Sequence, residues 1–137
     1  VDLPGGLIMC SPMLDLTHAR EYSVELEEYD VIQGKLADNC AKLYVDRSQC
    51  QNPLASPLHG EFSGLPPMLI QAGSVEIFEP LCAELVLRVQ KHSDSKVIYQ
   101  TYTGMTHCFQ LGADLGCEKA LNAYQEISAF LRDLWTE

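Results

Sequence analysis

Basic residues are scarce in this chain. Its 137 residues include nine lysines and arginines against nineteen aspartates and glutamates, which gives a formal net charge of −10. Binding to nucleic acid or to an anionic membrane depends on clustered cations. The charge balance therefore argues against both partners, and the plain meaning of such an acidic surface is solubility.

Long apolar runs, Cys-x-x-Cys pairs and an initiating methionine are also missing. No apolar run approaches the roughly 18 residues that span a bilayer, and the cysteine spacing does not suggest a structural zinc site. Because Cys10, Cys82 and Cys108 lie in apolar stretches, we expect buried free thiols, which favours a reducing compartment such as the cytoplasm. The chain begins at Val1 without a signal-peptide pattern, so we interpret it as a fragment, a processed product or a truncated protein.

Three short apolar runs predict the strands of a parallel sheet. The first, Leu7–Cys10, is expected to be buried on both faces, and Met68–Gly73 and residues 96–102 follow it. Amphipathic spacing predicts helices at 79–92 and 118–135. Their apolar stripes are Leu81, Leu85 and Val89 in the first, and Leu121, Tyr124, Ile127, Phe130, Leu131 and Leu134 in the second. Alternating strands and helices indicate an α/β fold with right-handed crossovers, and three strands make an incomplete sheet.

The segment between the first two strands is less regular. Asp30 is predicted to cap a helix that runs to about residue 45, with Ile32, Leu36, Cys40 and Leu43 on one stripe. Core packing is the preferred role of this stripe, and contact with a substrate is the alternative. Residues 46–67 are rich in proline and glycine and predict a long structured loop.

Two polar side chains follow the ends of the second and third strands. Glu76 lies in Gly-Ser-Val-Glu and His107 lies in Gly-Met-Thr-His. Loops that leave neighbouring parallel strands, roughly 5 Å apart, can bring a carboxylate against an imidazole. In a catalytic triad such a carboxylate fixes the tautomer of the histidine and stabilises the imidazolium that forms. The alternative is a solvated glutamate and a capping histidine.

Five motifs occur in a recognisable order: SPMLDLT at 11–17, NPLASPL at 52–58, GLPP at 64–67, GSVE at 73–76 and GMTHCF at 104–109. Together they resemble the hormone-sensitive-lipase-like family of α/β-hydrolases, which includes acetyl esterases and carboxylesterases. The resemblance implies that residues 1–137 are the C-terminal part of one α/β-hydrolase domain, with 17–50 as a cap segment. It also implies that Glu76 is the catalytic acid, that His107 is the catalytic histidine, and that a small ester is the substrate without any metal or organic cofactor.

The serine motif of this family is absent. Gly-x-Ser-x-Gly has no copy, since residues 60–64 are off by one and residues 112–116 carry an aspartate and follow the histidine. The oxyanion motif His-Gly-Gly-Gly is missing as well. We therefore expect the serine and the oxyanion hole in a missing N-terminal part, on the same parent chain or on a second chain, so that this chain alone is inactive. We expect this chain alone to expose an apolar sheet edge and to aggregate unless its own missing part or a second chain docks there. A homo-oligomer is a further candidate assembly.

Other candidates remain open at this stage. Glu79 is a substitute acid, and Cys108 is a candidate nucleophile beside His107. Ser11 is interpreted as a turn residue and Asp15 as a structural one, whereas His18, His59 and His92 lack metal-ligand spacing and are predicted at the surface. The rival functions are a non-catalytic ligand receptor and an interaction protein on the same fold.

Overall fold

A three-stranded parallel sheet forms the centre of the chain. The structure, a computed structural model, describes residues 3–17 and 24–136. Strands β1 (Leu7–Cys10), β2 (Met68–Gly73) and β3 (Val97–Tyr102) lie in the order β1-β2-β3. All three predicted strands are confirmed. Gly73 pairs with Tyr102 in the register, so β2 and β3 end at the same edge of the sheet.

Both faces of β2 are covered. Met68, Ile70 and Ala72 belong to one core cluster with helix α3 (Glu79–His92), on which Leu81, Leu85 and Val89 are buried as predicted. Leu69 and Gln71 alternate with these strand residues and face the opposite side of the sheet. There the Gln71 side-chain amide donates to the Ala123 carbonyl of helix α4 (Glu118–Thr136) at 2.9 Å. β2 is therefore the buried centre of a helix-sheet-helix arrangement, which is the usual environment of a parallel strand.

Strand β1 is covered on one face only, so the prediction of burial on both faces is wrong. Leu7 and Met9 pack against the main core, while Ile8 is 36% exposed and Cys10 is exposed. Within the described residues β1 pairs only with β2, and the main core packs against only the face that carries Leu7 and Met9.

Two helices lie between β1 and β2, and the stripe predicted for the longer one is wrong. The short helix is α1 (Val24–Glu27), and α2 (Gly34–Tyr44) starts after Gln33 rather than after Asp30. The buried face of α2 consists of Gly34, Ala37 and Ala41. Leu36 is 49% and Leu43 is 89% exposed, because the small residues let the helix approach the core and turn the leucines outward. Cys40 is exposed as well, and only Ile32 packs partly against the core.

The remaining segments complete the packing. Two short 3-10 helices, Arg47–Gln49 and Pro57–His59, lie in the predicted loop. On α4 the buried residues are Ala120, Ala123 and Phe130, whereas the predicted core residues Leu121 and Tyr124 are each 46% exposed. All six cysteines are free thiols; Cys50 and Cys82 are buried, but Cys10 is not. No helix in residues 3–17 and 24–136 is long and apolar enough to cross a membrane.

Leucines on opposite sides of α3 test this packing. Replacing Leu85, which is 5% exposed, by alanine leaves a cavity and should lower the free energy of unfolding by about 2–5 kcal/mol. Leu87→Ala on the same helix is the matched control, because Leu87 is 66% exposed and its truncation should change stability by about 0.5 kcal/mol or less. Chemical denaturation measures both, and equal losses would contradict the assigned orientation of α3.

Candidate active site

The turns that follow β2 and β3 are joined to each other. We call residues 74–77 the acid turn and residues 103–108 the histidine turn. Ser74 N donates to the Tyr102 carbonyl at 3.0 Å, and Val75 N donates to the Met105 carbonyl at 3.2 Å. In return Gly104 N donates to Ser74 Oγ at 2.8 Å. The structure thus brings Glu76 and His107 to one end of the sheet, as their positions after the strands predicted.

Gly73 allows the two turns to lie this close together. A Cβ atom built on Gly73 would lie 2.1 Å from the Met105 carbonyl oxygen and 2.7 Å from that of Thr106. Both obstacles are backbone atoms, which cannot rotate away as the end of a side chain can. A glycine is therefore required where β2 ends.

The carboxylate of Glu76 is completely buried. Its Oε2 accepts hydrogen bonds from Ser11 Oγ at 2.6 Å and from Gly73 N at 3.0 Å, whereas Oε1 is buried without a partner among the described residues. Burial raises the pKa of Glu76 to about 7, against the two hydrogen bonds that favour the ionised form. The nearby charges of Asp30 and Glu79 raise this pKa further.

His107 also has one unsatisfied atom. Its Nδ1 is buried and has no hydrogen-bond partner in the described part of the chain, and its ring packs edge-on against Phe78 with centroids 5.3 Å apart. Burial lowers the pKa of His107, and the charge of Asp30 opposes this effect. The described structure connects Glu76 to the histidine turn through Ser11 rather than by a direct hydrogen bond.

Ser11 also belongs to this site, although its sequence position predicted only a turn residue. Besides donating to Glu76, its hydroxyl accepts a hydrogen bond from Cys108 N at 3.0 Å. Ser11 and Cys108 also have the two positive φ angles of non-glycine residues in the described structure, 50° and 52°. Residues held in this uncommon conformation cluster at functional sites. The only sequence signal was a serine directly after a strand, and that signal does not distinguish a turn residue from a site residue.

Two other candidates were Glu79 as a substitute acid and Cys108 as a nucleophile. Glu79 Oε1 accepts a hydrogen bond from Tyr99 Oη at 2.7 Å. Burial and then the charge of Glu76 raise the pKa of the Cys108 thiol, which opposes formation of the nucleophilic thiolate. Neither environment suits the chemistry for which the residue was considered.

The histidines outside the site differ from one another. His59 Nε2 lies 3.2 Å from Asp15 Oδ1, and Asp15 also accepts a hydrogen bond from Thr17 N at 2.9 Å, which agrees with its predicted structural role. His92 is exposed at the end of α3, and His18 lies outside the described residues. In the part of the chain that the structure describes, no group of three histidine, cysteine or acidic side chains is placed to hold a metal ion.

Comparison with known proteins agrees with this architecture. The profile of the family described as having the alpha/beta hydrolase fold matches residues 2–111, which include both turns. The chain belongs to this α/β-hydrolase family. The α/β prediction and the resemblance to hormone-sensitive-lipase-like esterases are both confirmed.

Similar proteins include an esterase, an acetyl-hydrolase and a hormone-sensitive lipase, and this chain spans less than half of the length of each. An esterase of Acinetobacter venetianus is 34% identical over 111 residues, which are 80% of this chain and 36% of that protein. An acetyl-hydrolase of Streptomyces hygroscopicus is 33% identical over 76 residues, 55% of this chain and 25% of that one. The crystal structure of a hormone-sensitive lipase from a metagenome library superposes with a TM-score of 0.89 at 30% identity, covering 98% of this chain and 45% of that one.

The buried carboxyl group gives the chain a pH-dependent stability. The pKa of Glu76 is about 7 in the folded chain against an ordinary value of 4.5. Between these two pH values the folded state therefore holds a proton that the unfolded state has released. Relative to Glu76→Gln, the wild type should therefore lose about 3 kcal/mol of unfolding free energy as pH rises from 4.5 to 8. Denaturation of both proteins at the two pH values measures this difference. A constant difference would mean that folding does not raise the pKa of Glu76.

Gly73 and Gly5 provide a matched test of the close approach between the turns. Gly73→Ala forces Cβ into the Met105 backbone and should cost about 1–3 kcal/mol or more. Gly5→Ala should stay within about 0.5 kcal/mol, because nothing lies within 4 Å of the added atom. Thermal and chemical denaturation compare the two, and a neutral Gly73→Ala would contradict the described contact.

Proposed function

We propose that this chain supplies the acid and the base of a serine carboxylic-ester hydrolase. Glu76 is the acid and His107 is the base, while the nucleophilic serine and the oxyanion hole belong to protein outside these 137 residues. In this proposal residues 1–137 form the C-terminal part of one α/β-hydrolase domain, and residues 17–50 belong to its cap. The substrate is a small carboxylic ester.

The observation that carries the proposal is the convergence of the acid turn and the histidine turn. One hydroxyl, Ser11 Oγ, bonds both to the Glu76 carboxylate and to the amide of Cys108, the neighbour of His107. Glu76 Oε1 and His107 Nδ1 are both buried, and neither has a hydrogen-bond partner among residues 3–17 and 24–136. Leaving buried polar atoms unpaired is costly, and a Glu76–His107 hydrogen bond would satisfy both atoms at once. The esterase and acetyl-hydrolase relatives support the same chemistry.

The proposed roles follow from the environment of each group. With Nδ1–H donated to Glu76, the His107 imidazole presents Nε2 as a base. Nε2 accepts the proton of the attacking serine hydroxyl and later delivers it to the leaving alcohol, while the serine carries the acyl group. The lowered pKa of His107, caused by burial, favours the neutral imidazole before the reaction. The Glu76 carboxylate stabilises the imidazolium that forms when the proton arrives.

A chimera tests the proposal. The part of the Acinetobacter venetianus esterase that precedes its matched region is fused to this chain, and hydrolysis of a short-chain p-nitrophenyl ester is measured. His107→Asn should lower kcat by about 10²–10⁴-fold with little change in KM, because it removes the proton acceptor. His92→Asn is the control, since His92 is an exposed histidine at the end of α3.

The same chimera distinguishes the rival function. Labelling by a fluorophosphonate, read on a denaturing gel, should occur in the parent chimera and fade in His107→Asn. Full activity of a folded His107→Asn chimera would overturn the assignment of the base. A folded parent chimera that binds short esters without hydrolysing them or taking the label would favour a non-catalytic binding protein.

A further inference from the structure

A buried carboxylate outside the predicted pair touches both turns of the candidate site. Asp30 is 9% exposed and lies between α1 and α2. Its Oδ2 accepts a hydrogen bond from Ile77 N at 2.9 Å, and its Oδ1 accepts one from His107 N at 2.9 Å. Ile77 directly follows Glu76. Asp30 therefore bonds to one amide of the acid turn and one amide of the histidine turn.

The sequence suggested a different use for this side chain. An aspartate shortly before a helix is normally expected to cap it, but α2 begins after Gln33, which makes no side-chain capping bond. The Asp30 carboxylate bonds instead across sequence separations of 47 and 77 residues. Its own backbone is held locally, since Asp30 N donates to the Leu26 carbonyl at 3.0 Å and Val31 N donates to Asp30 Oδ1 at 2.8 Å.

We propose that Asp30 is a positioning residue, whose carboxylate fixes the backbone of the acid turn and of the histidine turn relative to each other. The bond to Ile77 N fixes the peptide plane that follows Glu76, and the bond to His107 N fixes the plane that precedes His107. Rotation of either plane moves the side chain attached beside it. This inference deepens the proposed function and rests on it for its catalytic meaning.

The charge of Asp30 has a second effect on the same groups. The charge of Asp30 raises the pKa of three titratable side chains: Glu76 in the acid turn, and His107 and Cys108 in the histidine turn. For His107 the nearby negative charge raises the pKa and so opposes the effect of burial. Asp30 also belongs to the segment that we assign to the cap, so it connects the position of that segment to the geometry of the site.

Hydrogen exchange tests the proposal without any need for activity, on the 137-residue chain or, where its uncovered sheet edge makes it aggregate, on the chimera. In the wild type the amides of Ile77 and His107 should exchange slowly, because each is bonded to a buried carboxylate. Asp30→Asn places an amide group, itself a donor, against at least one of these N–H groups. It should speed exchange of both amides about tenfold or more while leaving Leu69 and Ile70, in the centre of β2, unchanged.

The imidazole titration separates positioning from simple structural support. Asp30→Asn should lower the His107 pKa, followed through its ring carbon signal by NMR, because it removes the charge that raises it. Asp114→Asn is the matched control: Asp114 is exposed on the 3-10 helix after the histidine turn, and its substitution should leave both the exchange rates and the His107 pKa unchanged.

Each outcome decides the matter. Fast exchange of Ile77 and His107 in the wild type, which can be measured even if Asp30→Asn does not fold, would overturn the proposal. Equal acceleration of exchange in β2 by Asp30→Asn would also overturn the proposal, because Asp30 would then only stabilise the fold. If the exchange and titration results hold but the chimera proves inactive, the proposed function fails while the assignment of Asp30 stands. In an active chimera Asp30→Asn should lower kcat more than it raises KM.

Discussion

The burial of the Glu76 carboxylate is the constraint on which the rest of the site depends. Transferring a carboxylate from water to a protein interior is unfavourable unless hydrogen bonds replace those of the solvent. Oε2 obtains these bonds from Ser11 and from Gly73 N, whereas Oε1 obtains none from the part of the chain that the structure describes. A carboxylate that is held on one oxygen only is suited to accept one more donor. His107 Nδ1, which is buried without a partner among the described residues, lies on the adjoining turn.

Parallel topology explains why groups so distant in sequence meet here. Because the strands are parallel, the turns that follow them all lie at the carboxyl end of the sheet. Ser11 follows β1, Glu76 follows β2 and His107 follows β3. The bond between Ser11 Oγ and Cys108 N spans 97 residues, and Asp30 joins the same edge from the connection between β1 and β2. The site is therefore a property of the assembled sheet rather than of any one segment.

Sequence reasoning succeeded where the information is local and failed where the partner is distant. Apolar runs predicted the strands, helix α3 was predicted with its bounds, and the end of a strand indicated where Glu76 and His107 would lie. Periodicity could not tell which face of α2 meets the core, because Ala37 and Ala41 compete with Leu36 and only the tertiary packing decides. Asp30 and Ser11 were assigned local roles, since nothing in the neighbouring residues reveals the Ile77, His107 and Cys108 amides that bind them.

The same contacts indicate why Ser11 is not the nucleophile of the proposed reaction. It follows a strand and has a positive φ angle, as a nucleophile at a strained turn would. Its hydroxyl, however, is buried and donates to Glu76. Removing that proton would place an alkoxide 2.6 Å from a carboxylate oxygen, and two negative charges at this separation repel strongly in a medium of low dielectric constant. In the proposed reaction Ser11 therefore holds the acid, and the attacking oxygen has to come from protein beyond these residues.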